Sequence, residues 1–107
     1  MKGWDSMVVF LYRWRIKPGF ERQFVESWSA ITAYYRDNAE SLGSRLHFGS
    51  DGVWYAYAQW RFAGQREAAF DQTADHPARK KLKEAIEEFL GETELEIAAD
   101  FLSPPPV

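Results

Sequence analysis

Apolar and polar positions along the chain change period several times, and each change marks an element. Residues 7–16 are a run of β-branched and aromatic types, the composition of a strand. Even positions carry Val8, Phe10, Tyr12, Trp14 and Ile16, and odd positions carry Met7, Val9, Leu11, Arg13 and Arg15. Both faces are apolar at the start, as in a strand covered on both sides there. Pro18-Gly19 breaks the run. Phe20, Phe24, Trp28, Ile31 and Tyr35 then recur at spacings of three and four, which predicts a helix over about 20–38 with one aromatic stripe. Glu21 and Glu26 toward its start and Arg36 toward its end suit the helix dipole.

Leu42-Gly43 opens a second strand, about 44–48, and Gly49-Ser50-Asp51-Gly52 reads as a hairpin turn. A third strand follows over about 53–62. A loop of two or four residues would pair Phe48 with Val53 and His47 with Trp54. Arg45, His47, Trp54, Ala56, Ala58 and Trp60 would then share one face, with Leu46, Phe48, Val53, Tyr55, Tyr57 and Gln59 on the other. A three-residue loop would exchange the faces of one strand. A second helical region starts near Gly64, with a first part over about 65–72 and a break at Thr73-Ala74-Asp75. Asp75 is the expected cap of a helix that opens at His76-Pro77 and runs to about Leu90. Leu82, Ile86 and Phe89 form its inner stripe, and Gly91 ends it. A last strand over about 93–102 alternates Thr93, Leu95, Ile97, Ala99 and Phe101 against Glu94, Glu96, Ala98 and Asp100. Residues 103–107 form a proline-rich tail.

The order β-α-β-β-α-β predicts one α+β domain of ferredoxin-like plan over residues 1–107, with its core in 7–102. Its sheet is four-stranded and antiparallel, with two helices on one face. The other face would carry rings such as Tyr55 and Tyr57 uncovered. Soluble monomers rarely keep such a patch, so the expected state is a homodimer that packs sheet on sheet.

Composition narrows the partners. The chain has 107 residues, of which 17% are aromatic, so rings fill the core, line a cavity or cover an interface. Net charge is −3 and no basic block stands out, which argues against nucleic acid. There is no cysteine, so disulfides, thiolate metal sites and cysteine nucleophiles are excluded. That composition fits a reducing compartment. Arg13 and Arg15 interrupt the first apolar run, and no segment approaches spanning length, so neither a signal peptide nor a membrane span is expected. The expectation is a soluble cytoplasmic domain. His47 and His76 are the histidines, and no His/Asp/Glu cluster has metal-ligand spacing. There is no glycine-rich phosphate loop and no nucleophile elbow, so neither metal nor cofactor is expected.

Tyr12-Arg-Trp-Arg-Ile-Lys-Pro-Gly19, the Phe- and Trp-bearing helix after it, Gly43-Ser-Arg-Leu-His47 and Ala56-Tyr-Ala-Gln-Trp60 together resemble the antibiotic biosynthesis monooxygenase domain family. The resemblance covers roughly residues 7–102 and its motifs are loose. It implies a dimeric α+β barrel with a cavity between each sheet and its own helices. Members of that family use such a cavity for cofactor-free oxygenation of polycyclic phenols, haem breakdown or small-molecule isomerisation, and many have no known activity. The haem-degrading branch uses an Asn, a Trp and a His where this chain has Tyr12, a residue near Phe70 and a residue near Lys80. All three depart from that pattern, so haem degradation is disfavoured.

Two residues are candidate bases. A histidine is a common proton acceptor for phenols, which makes His47 one, and Tyr12 lies on the inward side of the first strand if even positions face the helices. Trp14, Trp28, Tyr35 and Trp60 are candidate ring-stacking residues and Arg45 a candidate anion contact. Ala56 and Ala58 leave room for a ligand or for a close helix. His76 is a candidate cap or carboxylate contact. The function these residues point to is cofactor-independent monooxygenase-like chemistry on an aromatic, quinol-type small molecule. The alternatives are a non-catalytic ligand-binding or interaction dimer of the same fold, or an isomerase.

Overall fold

The computed structural model describes residues 7–103. Its elements are β1 (Val8–Ile16), α1 (Glu21–Asn38), β2 (Gly43–Phe48), β3 (Trp54–Trp60), α2 (Ala63–Gln72), α3 (Ala78–Ala85) and β4 (Ile86–Glu96). They form one antiparallel sheet in the order β2-β3-β1-β4, the ferredoxin-like arrangement. Among the described residues no helix is long and apolar enough to cross a membrane. The tail predicted beyond residue 103 lies outside the described residues.

β1 is one of the two inner strands, and its alternation sorts the molecule. Phe10 and Trp14 point to the helix side, where Phe10 packs with Ile31, Tyr35, Trp60 and Ala69, and Trp14 with Phe24, Ala56 and Ala85. Two packed clusters result, and Tyr12 and Leu82 touch both. On α1, Phe24, Ile31 and Tyr35 are buried and Trp28 is half-buried, as the stripe predicts. Phe20 precedes the helix and is 37% exposed, with the Lys17 ammonium 5.6 Å from its ring.

The hairpin takes the three-residue form. Gly49 donates its N–H to the Val53 carbonyl at 2.7 Å, which leaves Ser50, Asp51 and Gly52 as the loop. Gly52 has φ +81°, the left-handed position such a loop requires. The Asp51 carboxylate accepts from Val53 N–H at 2.9 Å and from the Tyr55 hydroxyl at 2.5 Å. A side chain at Gly49 would collide with Tyr55 and the Val53 carbonyl. The register is Phe48 with Trp54 and His47 with Tyr55. The pairing expected for a two- or four-residue loop is therefore off by one residue, and the faces exchange. Leu46 joins Trp54, Ala56, Ala58 and Trp60 on the helix side, whereas Arg45 and His47 join Tyr55 and Tyr57 on the open side.

The second correction concerns 86–92. α3 ends at Ala85, and β4 begins at once and pairs with β1. The Ala85 carbonyl accepts from Lys17 N–H at 2.9 Å, which fixes the switch. Ile16 pairs with Ile86, Trp14 with Phe89 and Tyr12 with Glu92, with register shifts between these pairs. Each shift inserts one residue, so Ile86, Phe89 and Glu92 stay on one face although they are three apart. A spacing of three imitates a helical stripe, which is why the sequence reads as helix to Leu90. Gly91 lies within the strand at φ +122° and does not end a helix. β4 ends at Glu96, short of the predicted 102, and its alternation of Thr93 and Leu95 against Glu94 and Glu96 is as expected.

Asp75 does not cap α3. Pro77 holds the cap position, and His76 before it accepts the Ala78 N–H on Nδ1 at 3.1 Å.

Candidate active site

Between the sheet and the helices lies a cavity of about 390 Å³, within the size range of small-molecule sites. Its floor is β1 and β3: Tyr12 and Trp14 from one, Ala56, Ala58 and Trp60 from the other. Trp28, Ile31 and Tyr35 of α1 form one wall, and Arg79, Leu82 and Lys83 of α3 another. Ile86, Phe89 and Glu92 of β4 close the side. The lining draws on both packed clusters, so the void lies where they meet. Ala56 and Ala58 leave that void, because larger side chains there would project from the floor into it.

The rings are held at fixed angles. Trp14 stacks on Tyr12 at 5.8 Å with an interplanar angle of 15°, and meets Phe24 edge-on at 5.3 Å. Tyr35 meets Trp60 edge-on at 5.6 Å. Trp60 is 2% exposed, and its Nε1 is buried without a protein partner.

Two polar networks border these rings. In the first, Arg66 of α2 extends over Phe10, its guanidinium 3.8 Å from the ring centroid. Nη1 of Arg66 donates to the Tyr12 hydroxyl at 3.1 Å and to Glu92 Oε2 at 2.8 Å. Burial pulls the Arg66 pKa down, but the bonds to Tyr12 and Glu92 outweigh it, and the group stays charged. Burial pushes the Tyr12 phenol above its ordinary 10.0, and the hydrogen bond from Arg66 offsets only part of that. Tyr12 is thus a neutral phenol at physiological pH. Its oxygen accepts from Arg66, and its own proton remains available to donate.

In the second network, Arg79 donates from Nη2 to the Tyr35 hydroxyl at 2.7 Å and to Thr73 Oγ1 at 2.9 Å. Its Nε donates to the Thr73 carbonyl at 3.2 Å. This ties α1, the 73–75 turn and α3 together behind the cavity.

Of the residues singled out from sequence, Tyr12, Trp14, Trp28, Tyr35 and Trp60 meet at the cavity. Arg45 and His47 do not: both are exposed on the opposite face of the sheet, moved there by the three-residue hairpin loop. Arg66, Arg79 and Glu92 escaped the sequence reading. Arg66 stands four residues before Phe70 and Arg79 four before Lys83, which reads as ordinary helix surface. Glu92 falls beside a glycine that reads as a helix end. The one available signal was an Arg–Phe pair at helical spacing, and Arg66 does lie 5.2 Å from the Phe70 ring. Among the described residues no group of three or more His, Cys, Asp or Glu is placed to hold a metal ion.

The fold is shared with a class of small α+β proteins with solved structures. A candidate antibiotic biosynthesis monooxygenase from Bordetella bronchiseptica superposes with a TM-score of 0.74 at 18% identity, over 87% of this chain and 98% of that one. SnoaB from Streptomyces nogalater, a cofactor-independent oxygenase, superposes with a TM-score of 0.68 at 16% identity, over 94% and 99%. Rv0793 from Mycobacterium tuberculosis does so at 0.71 and 15% identity, over 91% and 99%. The chain therefore has the fold of the antibiotic biosynthesis monooxygenase structures. No protein-family model and no curated protein sequence matches it.

Proposed function

We propose that this protein oxygenates a phenolic, quinol-type aromatic molecule with dioxygen and without a cofactor, inside the cavity between sheet and helices. The observation that carries this reading is a ring-walled void with a neutral, half-buried phenol, Tyr12, on its floor. Cofactor-independent oxygenase activity in a protein of the same fold supports it.

The chemistry follows from the groups present. Glu92 is the carboxylate on the cavity wall, and only its Oε2 is taken by Arg66. It receives the substrate's phenolic proton, while Tyr12 donates to the phenolate oxygen that forms. The phenolate is electron-rich at the para carbon, and a C–O bond forms there to dioxygen. The proton returns from Glu92 to give a hydroperoxide. The O–O bond then breaks, the para C–H proton leaves and water departs. Overall, phenol plus O2 gives quinone plus H2O. The surrounding rings orient the substrate and exclude bulk water. Tyr12 replaces His47 as the residue acting on the substrate oxygen, and it acts as a donor.

The open face of the sheet presents Leu11, Tyr55, Tyr57 and Leu95. It is the surface on which a homodimer would form, and a cytoplasmic location fits the cysteine-free composition.

Oxygen uptake with 1,8-dihydroxyanthrone, whose enol has a para C–H, tests the activity. The expected result is uptake above the protein-free rate, one quinone formed per O2, and loss of the excess in Ala58→Trp. Uptake at the protein-free rate, or equal uptake by Ala58→Trp, overturns the reading.

A further inference from the structure

The α3 wall of the cavity carries charge that the oxygenation chemistry does not use. A guanidinium has five N–H groups. Arg79 directs three of them at neutral oxygens, those of Tyr35 and Thr73. Thr73 is 1% exposed and itself bonded to the Ala69 carbonyl at 2.9 Å, so this anchor is rigid. Among the described residues, nothing accepts from Nη1 of Arg79 and no carboxylate pairs with the group. Lys83 lies one turn further along α3, exposed at the mouth of the same cavity, and also has no carboxylate partner there. Two like charges at this helical spacing repel each other. The remaining charged groups of the site cancel, because Glu92 is paired with Arg66 at 2.8 Å. A structural role for Arg79 uses its Nε and Nη2 and leaves Nη1, which is not a buried unpartnered atom, open to solvent or to a ligand. What the site adds is an available Nη1 on a fixed guanidinium with a second cation beside it that no carboxylate pairs.

We infer that the cavity takes an aromatic anion: a hydroxylated aromatic acid whose ring lies among Trp14, Trp28 and Tyr35 and whose carboxylate is received by Nη1 of Arg79 and the ammonium of Lys83. Charge-assisted hydrogen bonds to a carboxylate are the strong ones, and a guanidinium already held in place loses little freedom in making them. This names the substrate class for the proposed oxygenation and rests on the same cavity holding an aromatic ring.

The test separates ring from charge with two probes of one shape, 2-naphthoate and naphthalene-2-carboxamide, followed by quenching of tryptophan fluorescence. The native protein should bind the naphthoate about tenfold more tightly at low salt. The preference should shrink as salt rises. It should fall severalfold in Arg79→Gln and severalfold in Lys83→Met. Lys83 is exposed, so that variant and the native comparison stand even if Arg79→Gln does not fold. Equal affinities for the two probes in the native protein, or a preference that survives both substitutions, overturns the anion proposal and leaves the ring pocket intact. Failure of both probes to quench overturns the anion proposal together with the pocket beneath it.

Discussion

Tyr12 is the residue on which burial and charge act in opposite directions. Burial raises its pKa, the Arg66 hydrogen bond lowers it, and burial wins. The sign matters for mechanism. A phenol whose folded pKa lies above 10.0 is protonated through neutral pH and gains charge only as pH rises past that higher value. Any stability it contributes is likewise complete below the ordinary value and lost above the raised one. It cannot be the base at pH 7, but it can donate to a developing phenolate. Tyr12→Phe should lower the oxygenation rate on the order of 100-fold, the scale of losing one oxyanion donor. The pH profile should keep its shape, because Tyr12 does not titrate in that range. Loss of an alkaline-rising limb in Tyr12→Phe would show that Tyr12 acts as a base after all. Arg66 bonds to Tyr12 and Glu92, so in the proposed chemistry it would position them.

At the scale of the element, β4 decides what the cavity contains. Its bulges let Ile86, Phe89 and Glu92 all reach the helix side, where an unbroken strand would send one of each odd-spaced pair to the open face. Gly91 sits between two of them at φ +122°, a backbone conformation that L side chains rarely adopt. A Cβ there would also lie 3.3 Å from Nη2 of Arg13, which donates to the Leu90 carbonyl at 3.0 Å. Gly91→Ala should cost roughly 1–2 kcal/mol from the backbone alone. The cost would appear as a lower urea midpoint, and naphthalene-2-carboxamide affinity should fall with it as Phe89 and Glu92 move. An unchanged midpoint would mean that the bulge does not depend on the glycine.

For the whole molecule, one side of the sheet is packed by the helices and the other is only partly covered: Val9 on that side is 1% exposed, Leu11, Tyr55 and Tyr57 are half-buried, and Leu95 is exposed. The open side offers Leu11, Tyr55, Tyr57 and Leu95, and the covered side holds the cavity. A dimer built on the open face leaves the cavity free, and it places Arg45 and His47 at or beside the interface. Leu11→Glu, which puts a charge at the centre of that face opposite Tyr57, should turn a sedimenting dimer into a monomer. A species of unchanged mass would remove the open face as the dimer surface.

The amino-acid sequence by itself determined the order of elements, the antiparallel ferredoxin-like plan and the aromatic stripe of α1. Periodicity is a local property, and in β1 and α1 it runs unbroken for nine and eighteen residues. It also set Trp28 and Tyr35 on one helix stripe and Tyr12 and Trp14 on one strand face, because each element defines its own faces; which space those faces and Trp60 meet in was left to the tertiary structure. Only the tertiary structure decided where Arg45, His47, Arg66, Arg79 and Glu92 stand. The first two depend on the parity of a hairpin loop, which one residue more or less reverses. Glu92 depends on bulges, which exist only where β4 pairs with β1. Arg66 and Arg79 depend on which helix face meets the sheet, and charged residues carry no periodic mark of that. The void itself is a difference in volume between two packed clusters. No single element contains it, so no pattern along the chain could announce it.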